Sequence, residues 1–157
     1  MNVEIKVDTS GIDRMLSDIS SAIERAKQQA LKAIGAEVKS QAERSFRHPQ
    51  YRASPWAPRK ESKRDDGHPL LIKSGALRQS IGSKIEGTDT VVVGTDRKYA
   101  RYHQTGTKNM PARPVFPVKD GNLTPRVQRK VKGIVDKAFA DALPKGSVPR
   151  PIWPGGN

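Results

Sequence analysis

Residues 10–46 read SGIDRMLSDISSAIERAKQQALKAIGAEVKSQAERSF, and the fold turns on how the apolar side chains in this stretch are spaced. Ile12, Met15, Leu16, Ile19, Ile23, Ala26, Ala30, Ile34, Val38, Ala42 and Phe46 recur near the ~3.6-residue helical period, which gathers them on one stripe. Thr9 and Ser10 offer N-cap oxygens, with Asp13 three positions beyond Ser10. An uninterrupted helix here would be ~50 Å long, more than a small domain can cover by itself. The pattern therefore points to a helix that packs against another chain or spans a ring wall. The alternatives are a single core helix with a frayed end, or a helix kinked or split at Gly35.

On the N-terminal side, Val3, Ile5 and Val7 alternate with Glu4 and Lys6, the period of a short strand with one face buried. On the C-terminal side, His48-Pro49 ends the helix and residues 48–70 form a long loop rich in Pro, Arg, Lys and Asp. Trp56 in that loop either docks on a partner or folds back over its own core. Leu70-Leu71-Ile72, a Ser74-Gly75 turn, Leu77 and Ile81 lead through one helical turn into a strand. The Glu86-Gly87-Thr88-Asp89 turn and the β-branched run Thr90–Gly94 complete a β-hairpin. Tyr99–Gln104 suits a short helix that stops at Gly106, and Pro111–Pro117 is extended because each proline biases its predecessor away from helix. Asn122-Leu123-Thr124 before Pro125 reads as a helix start. The helix that follows carries Val127, Val131, Ile134, Ala138 and Leu143 on one stripe. Residues 144–157 (PKGSVPRPIWPGGN) read as a flexible or extended tail in which Trp153 needs a partner surface. The expected organisation is one domain over residues 1–143 followed by that tail.

The chain has 157 residues and a net charge of +13, yet residues 1–47 hold 8 basic and 7 acidic side chains, so almost all the excess lies beyond them. The later part is expected to meet something acidic or to assemble with neighbours that compensate it. Without Cys there are no disulfides, thiolate metal sites or Cys nucleophiles. His48, His68 and His103 lack metal-ligand spacing, no Gly-rich phosphate loop exists, and Asp65-Asp66 reads as charge balance in a basic loop. No catalytic, cofactor or metal site is expected. No apolar window approaches ~18–20 residues and the N-terminus lacks a signal-peptide pattern, so a soluble product made in the cytoplasm, with no membrane contact, is expected.

Several pieces carry a resemblance when taken in order. They are Pro55-Trp56-Ala57-Pro58, Leu70-Leu71-Ile72-Lys73-Ser74-Gly75-Ala76-Leu77, Val91-Val92-Val93-Gly94-Thr95, Tyr99-Ala100-Arg101-Tyr102-His103-Gln104-Thr105-Gly106 and Pro111-Ala112-Arg113-Pro114. Over roughly residues 10–140 this set resembles the Mu-like virion morphogenesis family of tailed bacteriophages, also described as tail completion or head-tail joining proteins. The resemblance implies an α+β fold in which a long N-terminal helix and a C-terminal helix pack on a small, mainly antiparallel sheet. It also implies a virion protein of the tail or neck that forms rings, commonly sixfold, and so a homo-oligomer, most simply a hexamer. Its partners would be other neck and tail proteins: a connector or adaptor, the tail terminator and the tail tube. Val115-Phe116-Pro117 departs from the family's pattern, where an uninterrupted apolar strand ending in Gly is expected.

The residues assigned to subunit or partner contacts are Trp56, Arg59, Tyr99, Tyr102, His103, Gln104, Arg113 and Trp153, with Gly75, Gly94 and Gly106 as structural turns. Tyr99, Tyr102 and His103 are either a contact surface or a satisfied core turn. Arg113 either meets a neighbour's carboxylate or caps its own helix. The competing function is DNA binding. It would run through Arg52, Arg59, Lys60, Lys63 and Arg64, interleaved with Tyr51 and Trp56, and through the basic C-terminal helix. A small prophage-encoded regulator or toxin-like factor is the third class.

Overall fold

The computed structural model describes residues 10–59 and 67–143. The expected strand at Val3–Val7, the loop cations Lys60, Lys63 and Arg64, and the tail with Trp153 lie outside the described residues.

The apolar stripe forms one helix, α1 (Ser10–Ser45). At ~1.5 Å per residue its 36 residues span about 54 Å. Gly35 does not split it. A Cβ there would lie 2.8 Å from Val91 Cγ2 and 3.3 Å from Ser83 Cβ, so the glycine lets a β-hairpin lie directly on the helix. His48 adopts an extended backbone (φ −121°, ψ 108°) ahead of Pro49, and the chain leaves α1 through a short 3₁₀ turn at Pro49–Tyr51.

The hairpin joins β1 (Gly82–Glu86) to β2 (Thr90–Gly94), antiparallel from Gly82↔Gly94 to Glu86↔Thr90. Gln28 Nε2 ties its tip to α1 by donating to Thr88 O at 2.9 Å. A single-turn helix, α2 (Ala76–Gln79), precedes it, entered through Gly75 at φ +71°. Gly75 is thus a turn, whereas Gly94 is the last residue of β2, paired with Gly82, and does not take a left-handed conformation. The difference is physical: Val91–Val93 continue their ladder to its end before the chain bends at Thr95–Lys98.

After α3 (Ala100–Thr105) and the extended 111–117 segment, a second hairpin appears between β3 (Val118–Lys119) and β4 (Asn122–Leu123). Its two-residue Asp120-Gly121 loop has both φ values positive (+52° and +78°), as a type I′ turn requires. Asn122 and Leu123 are therefore strand residues. Thr124 alone occupies the N-cap position, its side chain making no capping bond, and Pro125 opens α4 (Pro125–Ala142).

The fold is α+β, with α1 as the spine on which both the β1–β2 hairpin and α4 pack. The main core lies at the C-terminal end of α1. There Ala42 and Phe46 meet Trp56, Leu77, Ile81, Ala100 and Val115, with Leu70, Leu71, Ile72, Val93 and Phe116 packed against them. Along α1 toward the N-terminus the last fully buried residue is Ala26, Ile23 and Ile19 are half-buried, and Met15 and Leu16 stand 55% and 57% exposed. α4 is only about 27 Å long at ~1.5 Å per residue, half the length of the helix it packs on.

Candidate functional site

Four of the sequence-selected residues converge on the extended segment Pro111–Pro117. Proline at positions 111, 114 and 117 keeps this stretch out of a helix, so its backbone polar groups find partners outside a regular ladder, several of them side chains. Trp56 Nε1 donates to Pro114 O at 2.9 Å. Gln104 Oε1 accepts from the backbone N–H groups of Val115 and Phe116, both at 3.0 Å. Arg113 reaches the other way: its Nε donates to Ala57 O and its Nη2 to Pro58 O, both at 2.9 Å, while its backbone N–H donates to His103 O at 2.7 Å. The segment is thus clamped between the 52–59 loop and α3.

This settles what several side chains touch. Trp56 is 7% exposed, sets its ring edge on Phe46 (centroids 6.0 Å apart, planes at 88°) and carries the Arg52 guanidinium over its face at 4.0 Å. It fills the core. Arg113 binds backbone carbonyls of the 52–59 loop and is neither a helix cap nor held by a carboxylate among the described residues. Ser45, fully buried, was not singled out by sequence. Its Oγ donates to Val115 O at 3.1 Å, and its only signal is a small polar residue set among the apolar positions near the end of α1.

Gly106 ends α3 at φ +76°, and a Cβ there would lie 2.9 Å from Ala112 N and 3.1 Å from Met110 O. Both the left-handed backbone and the close return of the chain demand glycine. Thr107 and Met110 then close a tight turn by mutual backbone hydrogen bonds.

The outward side of α3 is different. Tyr99 and Tyr102 are each 42% exposed, and Tyr99 meets the His103 ring edge-on at 6.0 Å. With Thr107 and Met110 they line an open cleft of about 270 Å³. A smaller cleft of about 180 Å³ on the other side of Tyr99 and His103 brings in Arg59, Leu71 and Lys73. Arg59 Nη2 donates to His68 O at 2.7 Å. Burial first, and the nearby positive Arg113 second, lower the His103 pKa below its ordinary 6.5. Its Nδ1 is sealed from solvent without a hydrogen-bond partner among the described residues, so a second ring proton there would be a stranded donor. His103 is neutral at pH 7.

Structure therefore splits the candidates. Trp56, Gln104 and Arg113 brace the chain internally, while Tyr99, Tyr102, His103 and Arg59 gather beside two open clefts. Among the described residues no three His, Asp or Glu side chains are grouped to hold a metal, and no helix is long and apolar enough to cross a membrane. The two clefts present aromatic faces, a thioether and a guanidinium.

A model of the phage virion morphogenesis family matches residues 7–140. No curated protein and no solved structure matches the chain.

Proposed function

The chain belongs to the phage virion morphogenesis family, and from that premise we propose that it is a non-enzymatic tail-completion or neck subunit whose mechanism is binding. It assembles into a closed ring, most simply a hexamer, that joins the tail to the head connector or seals the head-proximal end of the tail.

The observation that carries this reading is the length of α1 against what covers it. Full burial along the helix stops at Ala26; the apolar stripe continues through half-buried Ile23 and Ile19 to exposed Leu16 and Met15. An amphipathic stripe that runs about three turns beyond its last fully buried residue supplies a ready face for a neighbouring subunit. The Tyr99, Tyr102 and Met110 cleft is the second such face. Here the side chains carry no intramolecular load comparable to that of Trp56 or Arg113.

Light scattering at tens of micromolar tests the assembly step, since oligomer populations follow concentration. The unaltered protein should run as one discrete oligomer, and Met15→Gln/Leu16→Gln should run as a monomer with unchanged helix content. A strictly monomeric unaltered protein would remove the ring from this account.

A further inference from the structure

A cleft of about 650 Å³ opens between the 49–51 turn, the β3–β4 hairpin and the start of α4, beside the C-terminal end of α1. Arg52, Lys119 and Arg126 line it, and Asp120 is its one acidic lining residue. Tyr51, also in the lining, has two guanidiniums against its ring: Arg126 lies 4.4 Å and Arg44 5.5 Å from its ring centroid. We propose that this cleft binds the phosphate backbone of duplex DNA.

Positive charge is unbalanced at this one place. Toward the C-terminal end of α4, Lys132 and Lys137 sit 2.6 Å from Asp136 and Asp141, so that part of the helix is internally neutralised. Toward its start, Arg126, Arg129 and Lys130 share one face at i, i+3 and i+4, and all three are exposed. The first turn of α4 contains no acidic residue. Among the described residues no carboxylate lies within ion-pair distance of these three, of Lys119 or of Arg44. The positive end of a helix is the wrong end for cations, so an external anion relieves both the side-chain repulsion and the helix dipole.

The cations are also restrained. The Tyr51 ring draws the Arg44 and Arg126 guanidiniums to one place, and neither side chain donates a hydrogen bond within the described residues. Arg52 is anchored more firmly, donating from Nε to Ser45 O at 2.8 Å and lying over Trp56. A planar, oriented guanidinium matches a phosphate's paired oxygens, which a flexible ammonium does not. An acidic protein segment is the competing occupant, but protein interfaces rest on aromatic or aliphatic anchors entering free pockets. The single aromatic in this lining already has two guanidiniums against its ring. What remains is charge and donors, the requirement of a phosphate backbone.

The site is separate from the faces proposed for assembly, so a monomeric chain would bind through it equally well. The test is fluorescence anisotropy with a random-sequence duplex over a range of salt concentrations. It compares the full chain with Arg44→Gln/Lys119→Gln/Arg126→Gln/Arg129→Gln and with a charge-matched control, Arg25→Gln/Lys32→Gln/Lys98→Gln/Lys108→Gln. The cleft variant should lose at least about tenfold in affinity, and its log–log salt slope should flatten by up to about 3.6, because each of four phosphate contacts contributes ~0.9. The control should lose much less. Equal losses in both variants would show a net-charge effect with no site, and overturn the proposal. So would tighter binding of polyglutamate than of duplex, which would make the cleft a socket for an acidic protein. If the quadruple variant fails to fold, Lys119→Gln on the exposed hairpin reports alone: a slope reduced by about 1 supports the site and an unchanged slope overturns it.

Discussion

At the scale of single residues, the chain uses its most distinctive side chains to tie together segments that carry little regular structure. Trp56→Phe keeps a ring against Phe46 but leaves the Pro114 carbonyl without its donor, and should cost about 1–3 kcal/mol in urea unfolding. Trp56→Ala opens a cavity as well and should cost about 3–5 kcal/mol. Its loss of fold rather than of docking is the expected phenotype. His103 gives a pH signature. Its folded pKa is lowered, so in the window just below 6.5 the unfolded chain takes up a proton that the folded chain refuses. Stability is therefore full above about pH 6.5 and falls as pH drops through that window, by linkage. His103→Gln should flatten the slope there in a pH series of thermal melts, and an unchanged slope would show that His103 is not its source. A core place for Trp56 was one of the two readings open in sequence, but the partners of these side chains were not legible. Trp56 and Arg113 find their partners 58 and 56 positions away, distances over which residue spacing carries no information.

At the scale of elements, legibility followed periodicity. Eleven apolar positions on one stripe made α1 readable from end to end, and the β-branched run at Thr90–Val93 made its hairpin readable. The β3–β4 hairpin was not read, although Asp120-Gly121 is a strong turn signal, because its two-residue strands are too short to show alternation between Pro117 and Pro125. Gly35 shows the same limit from another side. In sequence a glycine within a helix suggests a kink, whereas here it marks where another element touches. Gly35→Ala raises helix propensity by up to ~1 kcal/mol, yet its new methyl would press on Val91 at 2.8 Å. We expect net destabilisation of about 1–3 kcal/mol from overpacking, measured by denaturant unfolding, with hydrogen exchange fastest in β2. A neutral or stabilising result would mean that the hairpin does not rest on the helix there.

At the scale of the whole molecule, the uneven charge and the overlong helix have separate explanations. The N-terminal half of α1 is electrically balanced and apolar along one stripe, which suits contact with a second subunit. The excess positive charge gathers at the opposite end of the same helix, around Tyr51, where it suits phosphate. A ring built from such subunits would present one kind of surface between its members and another to whatever passes or docks. The central claim is that this chain closes into a ring at the junction of tail and head. Electron microscopy of intact particles, with this chain located in the density, tests that claim most directly. The account predicts a closed ring of copies at the head-proximal end of the tail, with the Met15 and Leu16 side of α1 buried against the adjacent copy. Absence of the chain from the finished particle, or its presence as isolated copies with that side facing solvent, would contradict it.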